Sequence, residues 1–187
     1  MKVNRFGQAE ALTKEQFSKV LAEFRSPVHR LIFSLCWYTA ERPAAILSLK
    51  VSDVYQNPSK SLPKDKIVIP ANTRKDRRTR ELPLAAGAKW ELKSYTPPPA
   101  GYLFPGAQPD THLTFSAYYK ALDRTFDRLG LCGFTTYSTR RGSLTEMARN
   151  GLSLRLIQAV SGHATLSSLQ RYLEVTPAEV ERAIAML

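Results

Sequence analysis

The stretch Leu-Ile-Phe-Ser-Leu-Cys-Trp-Tyr at 31–38 is the longest apolar run in the chain, interrupted only by Ser34. Pro27 suits the first turn of a helix, and behind it Leu31, Ile32, Leu35 and Cys36 fall on a wide apolar stripe. A helix of that kind has to be covered, so the remaining segments must wrap around it. It falls far short of the roughly 20 residues that a bilayer crossing needs. The run therefore predicts a central core helix ending near Thr39, and no membrane partner. With 187 residues, of which 43% are hydrophobic, the chain suits one core of ordinary size.

The other segments supply that cover. Thr13 opens Thr-Lys-Glu-Gln with capping-box spacing, and Phe17, Val20, Leu21 and Phe24 follow at helical period, which predicts a helix over 14–25. Pro43 starts a short helix over Ala44 to Leu49, which runs into a strand-like segment, Val51 to Tyr55. Lys66 to Pro70 and Thr79 to Leu84 read as two more strands flanking the polar connection Ala71 to Arg78. Pro83 confines the last strand to an edge or an end. After a helix over Ala85 to Tyr95, Pro97-Pro98-Pro99-Ala100-Gly101 forms a surface crossover. Helical patterns then cover Thr114 to Leu129, Ser138 to Asn150 with Gly151 as stop, and Leu154 to Val160 with Gly162 as stop, with shorter pieces at Leu166 to Leu173 and Pro177 to Leu187. The fold class is α+β: mainly helical with a small three-stranded antiparallel sheet, in a single domain over 1–187.

Charge narrows the function classes. Lys and Arg number 27 against 16 Asp and Glu, a net charge of +11, which points to a polyanionic partner. No signal-peptide pattern opens the chain. Cys36 lies inside the apolar run and Cys132 between Leu131 and Gly133, without metal-ligand spacing, and these features together suggest the cytoplasm. His29, His112 and His163 show no paired ligand spacing either, so the spacing indicates no metal site.

Four places concentrate side chains suited to phosphate chemistry. Arg42 sits at the junction between the core helix and the short helix, where a surface ion pair is the ordinary reading. Arg74, Lys75, Arg77, Arg78 and Arg80 crowd the connection between two strands, as a solvated turn or as one facing DNA. Tyr137-Ser138-Thr139-Arg140-Arg141 opens a helix, where backbone amides already favour an anion. Ser161-Gly162-His163 is followed nine residues on by Tyr172, which singly would be a capping histidine and a packed aromatic.

Their order along the chain resembles the catalytic domain of the tyrosine recombinases, the phage integrase family, from about Leu12 to the C-terminus. Thr39 to Val54 is similar to the box around the first arginine, here Arg42. Lys75 matches the hairpin lysine before a strand ending in Pro-Leu, Tyr137 to Arg140 the His-x-x-Arg box, Ser161 to His163 the Leu-Gly-His box, and Gln170-Arg171-Tyr172 the nucleophile. Two departures stand out: Ala45 replaces the usual acidic residue three positions after Arg42, and Tyr137 replaces the usual histidine.

The resemblance implies the fold of the DNA breaking-rejoining enzymes and a site-specific recombinase or integrase that uses neither metal nor ATP. Tyr172 would attack a DNA phosphate to give a 3′-phosphotyrosyl link. Arg42 and Arg140 would stabilise the nonbridging oxygens, Lys75 would protonate the departing 5′-oxygen, His163 would hydrogen-bond the phosphate or assist the nucleophile, and Tyr137 would fill the remaining position of the second box. Arg74, Arg77, Arg78, Arg80 and Arg141 would hold DNA. The partner implied is double-stranded DNA, with self-association as a tetramer and no small-molecule substrate. In the family an N-terminal core-binding domain completes the clamp around DNA, and with only about a dozen residues before Thr13 that domain is expected to be absent from this chain. The tail from Pro177 either packs on its own domain or docks on a neighbouring subunit. The alternative, motivated by Ala45 and Tyr137, is a weakened or inactive DNA-binding protein with the same fold. A topoisomerase-like relaxing enzyme would use the same tyrosine chemistry, and an RNA-binding domain would need exposed stacking aromatics that the short strands lack.

Overall fold

The computed structural model describes residues 9–73, 77–172, 180–181 and 184–186. Helix α1 spans Lys14–Glu23, and its capping box forms as the Thr13 spacing predicts: the Gln16 amide donates to Thr13 Oγ1 at 3.1 Å and the Thr13 amide to Gln16 Oε1 at 3.0 Å. Helix α2 spans Pro27–Thr39 and buries Leu31, Ile32, Phe33, Leu35 and Cys36. Burial of each such large apolar side chain favours folding by about 1.5–3 kcal/mol, which makes this helix the main anchor of the core. Phe17 of α1 stacks on Trp37 with ring centroids 4.5 Å apart. Burial also pushes the Cys36 thiol well above its ordinary pKa, so it serves as a packing group and not as a nucleophile.

Helix α3 is Pro43–Leu47 and α4 is the single turn Val51–Val54, followed by strand β1 at Tyr55–Asn57 and β2 at Leu62–Pro63. Strand β3, Lys66–Ile69, pairs antiparallel with β4, Arg80–Pro83, with Ile67 opposite Leu82 and Ile69 opposite Arg80. The expected three-stranded sheet is thus resolved into two two-stranded antiparallel ladders, β1–β2 and β3–β4. Val51 to Val54 is helical and not extended because the Lys50 amide donates to Asp53 Oδ2 at 2.8 Å, a local cap that overrides the β-branched valines. Pro83 ends β4, where its missing N–H costs the ladder nothing.

Helix α5, Ala86–Ser94, is tied to α2 by a two-pronged ion pair in which Arg30 Nε and Nη2 donate to the Glu91 carboxylate at 2.8 and 2.7 Å. Helix α6 is Phe115–Arg128, α7 is Ser138–Arg149 and α8 is Leu154–Ser161, and a 3₁₀ turn covers Ser167–Tyr172. Helices α1, α3, α5, α6 and α7 all pack on α2, as the apolar run demands. A smaller cluster of Ala40, Leu144, Ile157 and Leu169 joins α7, α8 and the 3₁₀ turn. The expected helix from Pro177 lies mostly outside the described residues. Among the described residues no helix is long and apolar enough to cross a membrane.

Candidate functional site

The end of α2 sets the first wall of the site. Ala40 caps the helix in a left-handed conformation, φ 51°, which reverses the chain so that Glu41 turns inward and Arg42 outward. Arg42 then precedes Pro43, whose fixed φ starts α3 without an amide to satisfy. This leaves the Arg42 side chain exposed beside the start of α7.

Helix α7 brings the second wall. Its packing is made possible by small residues: Ser138, Thr139, Gly142 and Ser143 are buried, and a Cβ at Gly142 would collide with the Leu12 carbonyl oxygen and reach the Trp37 ring at 2.7 Å. The segment before α1 therefore lies directly on α7, with the Leu12 amide donating to the Ser138 carbonyl at 3.3 Å. Arg140, one turn into α7, is 3% exposed. Its guanidinium is held by acceptors from two other elements: Nη1 donates to the Ala40 carbonyl, and Nη2 to the Ser161 carbonyl at 3.0 Å. Nη2 is also 3.3 Å from the ring nitrogens of His163.

Gly162 ends α8 in the left-handed region, φ 66°, where glycine carries no Cβ penalty, and so turns His163 back toward Arg140. The imidazole Nδ1 lies 2.7 Å from Ser161 Oγ, and Gln158 Nε2 donates to the His163 carbonyl at 3.0 Å. Tyr172 closes the group: half-buried, its ring packs on the smaller cluster and sits 5.6 Å, centroid to centroid, from the His163 ring.

A cleft of about 380 Å³ is lined by Arg42, Tyr137, Arg140, Arg141, His163, Ser168 and Tyr172, with Ala9 at its edge. Residues from widely separated stretches of chain thus meet around one opening, large enough to admit a phosphate group, with cationic guanidiniums, an imidazole and phenols on its walls. Such a set can bind an oxyanion bidentately and offers a nucleophilic phenol beside it. Tyr137 is 53% exposed at the mouth, and its side chain makes no capping bond to α7.

Arg77 and Arg78 are exposed on the β3–β4 connection, and Arg74 and Lys75 lie outside the described residues. Arg80, expected on a DNA-facing turn, instead points inward, where its Nη1 is 2.5 Å from Glu41 Oε1. Glu41 is buried at 1% exposure and was not singled out by the sequence; the position expected to carry acid, Ala45, is packed in the core at 2%. The strand alternation does mark Arg80, since Arg80 and Leu82 share the inward face of β4. Ser168 was missed as well, and its only signal is its place one turn before Tyr172.

A family model described as the phage integrase family matches residues 10–179. The tyrosine recombinase XerA of Pyrococcus horikoshii is 23% identical over 180 residues, covering 94% of this chain and 60% of that protein. The tyrosine recombinase XerD of Rhizobium meliloti is 27% identical over 177 residues, covering 90% of this chain and 53% of that protein. The chain therefore spans a little over half the length of these curated relatives. Among solved structures, a XerA recombinase superposes with a TM-score of 0.74 at 19% identity, covering 96% of this chain and 66% of that one. The Tn1549 transposon integrase in complex with a circular intermediate DNA also gives 0.74, at 15% identity, with 97% and 67% covered. At these identities the structural likeness establishes the fold.

Proposed function

The chain belongs to the phage integrase family, and from that premise we propose that it is the catalytic domain of a site-specific recombinase or integrase acting on double-stranded DNA. One observation carries the proposal: Arg42, Arg140, His163 and Tyr172, remote from one another in sequence, line a single cleft.

In the proposed reaction the Tyr172 oxygen attacks the phosphorus of a DNA phosphodiester. The phenol gives up its proton to solvent as its oxygen bonds to phosphorus, the bond to the 5′-oxygen breaks, and Lys75 supplies the proton that lets this oxygen leave as a hydroxyl. Rejoining is the reverse step with a 5′-hydroxyl as nucleophile. The covalent link conserves the phosphodiester energy, so no ATP is consumed. Arg42 and Arg140 stabilise the charge on the nonbridging oxygens, and His163 and Tyr137 donate hydrogen bonds to them. Arg74, Arg77, Arg78 and Arg141 contact backbone phosphates around the cleft. Copies of the chain assemble as a tetramer on the DNA, in which cleavage at one site is matched by rejoining at another.

The test is incubation with a nicked duplex that traps the cleaved state, followed by a denaturing gel. The wild-type chain is expected to yield a covalent protein–DNA band. Tyr172→Phe is expected to yield none while binding DNA within about threefold of wild type, because affinity rests on phosphate contacts and not on the phenol. A Tyr172→Phe chain that still forms the band would overturn the assignment.

A further inference from the structure

A carboxylate as buried as Glu41 requires compensating partners, because desolvation of its charge is not recovered otherwise. Its partners come from different elements and hold it unequally. Arg80 Nη1 lies 2.5 Å from Oε1, whereas Arg140 Nη1 lies 3.9 Å from Oε2. The Arg42 amide donates to Oε2 at 3.3 Å. Arg80 extends the link by donating from Nη2 to the Ala159 carbonyl of α8 at 3.1 Å. The carboxylate thus joins the end of α2 that carries Arg42, strand β4 at the close of the basic connection, and the two helices that set Arg140 and His163. Glu41 itself is not among the residues lining the cleft, so any effect it has on a phosphate passes through the arginines.

The unequal distances matter for charge. Arg80 Nη1 lies closer to the Glu41 carboxylate than Arg140 Nη1 does, so between these two guanidiniums Arg80 has the stronger hold on it. We infer that Glu41 and Arg80 form a positioning pair for the cleft: Arg80 occupies the buried carboxylate so that the charge of Arg140 remains available to a phosphate, and the pair pins β4 against α8. This rests on the proposed function and assigns Arg80 a role distinct from DNA contact.

Charge bookkeeping gives the pair a signature that loss of a DNA contact lacks. Arg80→Gln leaves the Glu41 carboxylate to quench Arg140, and is expected to slow covalent adduct formation at saturating DNA by about a hundredfold, the scale of losing one oxyanion donor. Glu41→Gln removes the charge but keeps an oxygen acceptor, and is expected to cost about tenfold. Glu41→Gln combined with Arg80→Gln removes the stray carboxylate and is expected to recover to within about threefold of Glu41→Gln alone, a non-additivity that marks directly coupled groups. If Arg80→Gln alone does not fold, the same rescue is read as folding of the double variant, followed by circular dichroism and thermal melting. The affinity for inorganic phosphate, followed by NMR titration of the arginine side chains, is expected to show the same order among the variants. That titration needs no reaction, so a wild-type chain without adduct counts against the proposed function while the phosphate order still judges the pair. A double variant as slow as, or slower than, Arg80→Gln, with no recovery of phosphate affinity, would overturn the pair.

Discussion

Tyr137 stands at the mouth of the cleft, more than half exposed, where the family pattern usually writes histidine. A phenol can donate a hydrogen bond to a phosphate oxygen but carries no positive charge near neutral pH. Tyr137→Phe is therefore expected to slow adduct formation by about tenfold, the scale of a hydrogen bond to a charged group. Stability should stay within about 0.5 kcal/mol of wild type, because the side chain is exposed and caps nothing. Equal single-turnover rates for Tyr137→Phe and wild type on the nicked duplex would remove the hydroxyl from the mechanism. Tyr137→His is expected to remain active and to gain a rate loss as pH rises through the imidazole range near about 6.5, since only the protonated ring adds a cation. At this scale the sequence was informative about which side chains meet at the cleft and poor on which ones lie behind it. Arg42, Arg140, His163 and Tyr172 could be marked by type and order. Glu41 could not, because its burial depends on the left-handed turn at Ala40 and on a partner, Arg80, that arrives from a distant strand.

Among the elements, α7 depends most on close approach. Gly142 is the residue over which the Leu12 backbone crosses. In an uncrowded helix, Gly→Ala would stabilise by about 0.8–1 kcal/mol through propensity. Here Gly142→Ala is expected to destabilise by about 1–3 kcal/mol, the usual cost of overpacking, measured by urea denaturation. The opposite sign would show that the segment before α1 does not press on α7. Helices α1 and α2 were legible because start signals and apolar periodicity agree in the same windows, as at Thr13 and at Pro27. Helix α4 was not, because Val51 and Val54 look extended while the decisive bond is one carboxylate cap from Asp53. Strand β2 has only Leu62 and Pro63, too short for any alternation to register.

For the molecule as a whole, a chain of net charge +11 gathers cations from separate elements at one opening, and α2 is what makes the gathering possible. Its buried stripe fixes α1, α3 and α7 around one axis, and its last residues direct Arg42 outward and offer the Ala40 carbonyl to Arg140. In the proposed reaction the phenol at 172, and not the more exposed one at 137, forms the bond to DNA. Trypsin separates the two, because cleavage after Arg and Lys places Tyr137 in the peptide 129–140 and Tyr172 in the peptide 172–182. The decisive measurement is mass spectrometry of the covalent complex after nuclease trimming and tryptic digestion. The nucleotide mass is expected on the peptide 172–182; the same mass on the peptide 129–140, or on neither, would contradict the account.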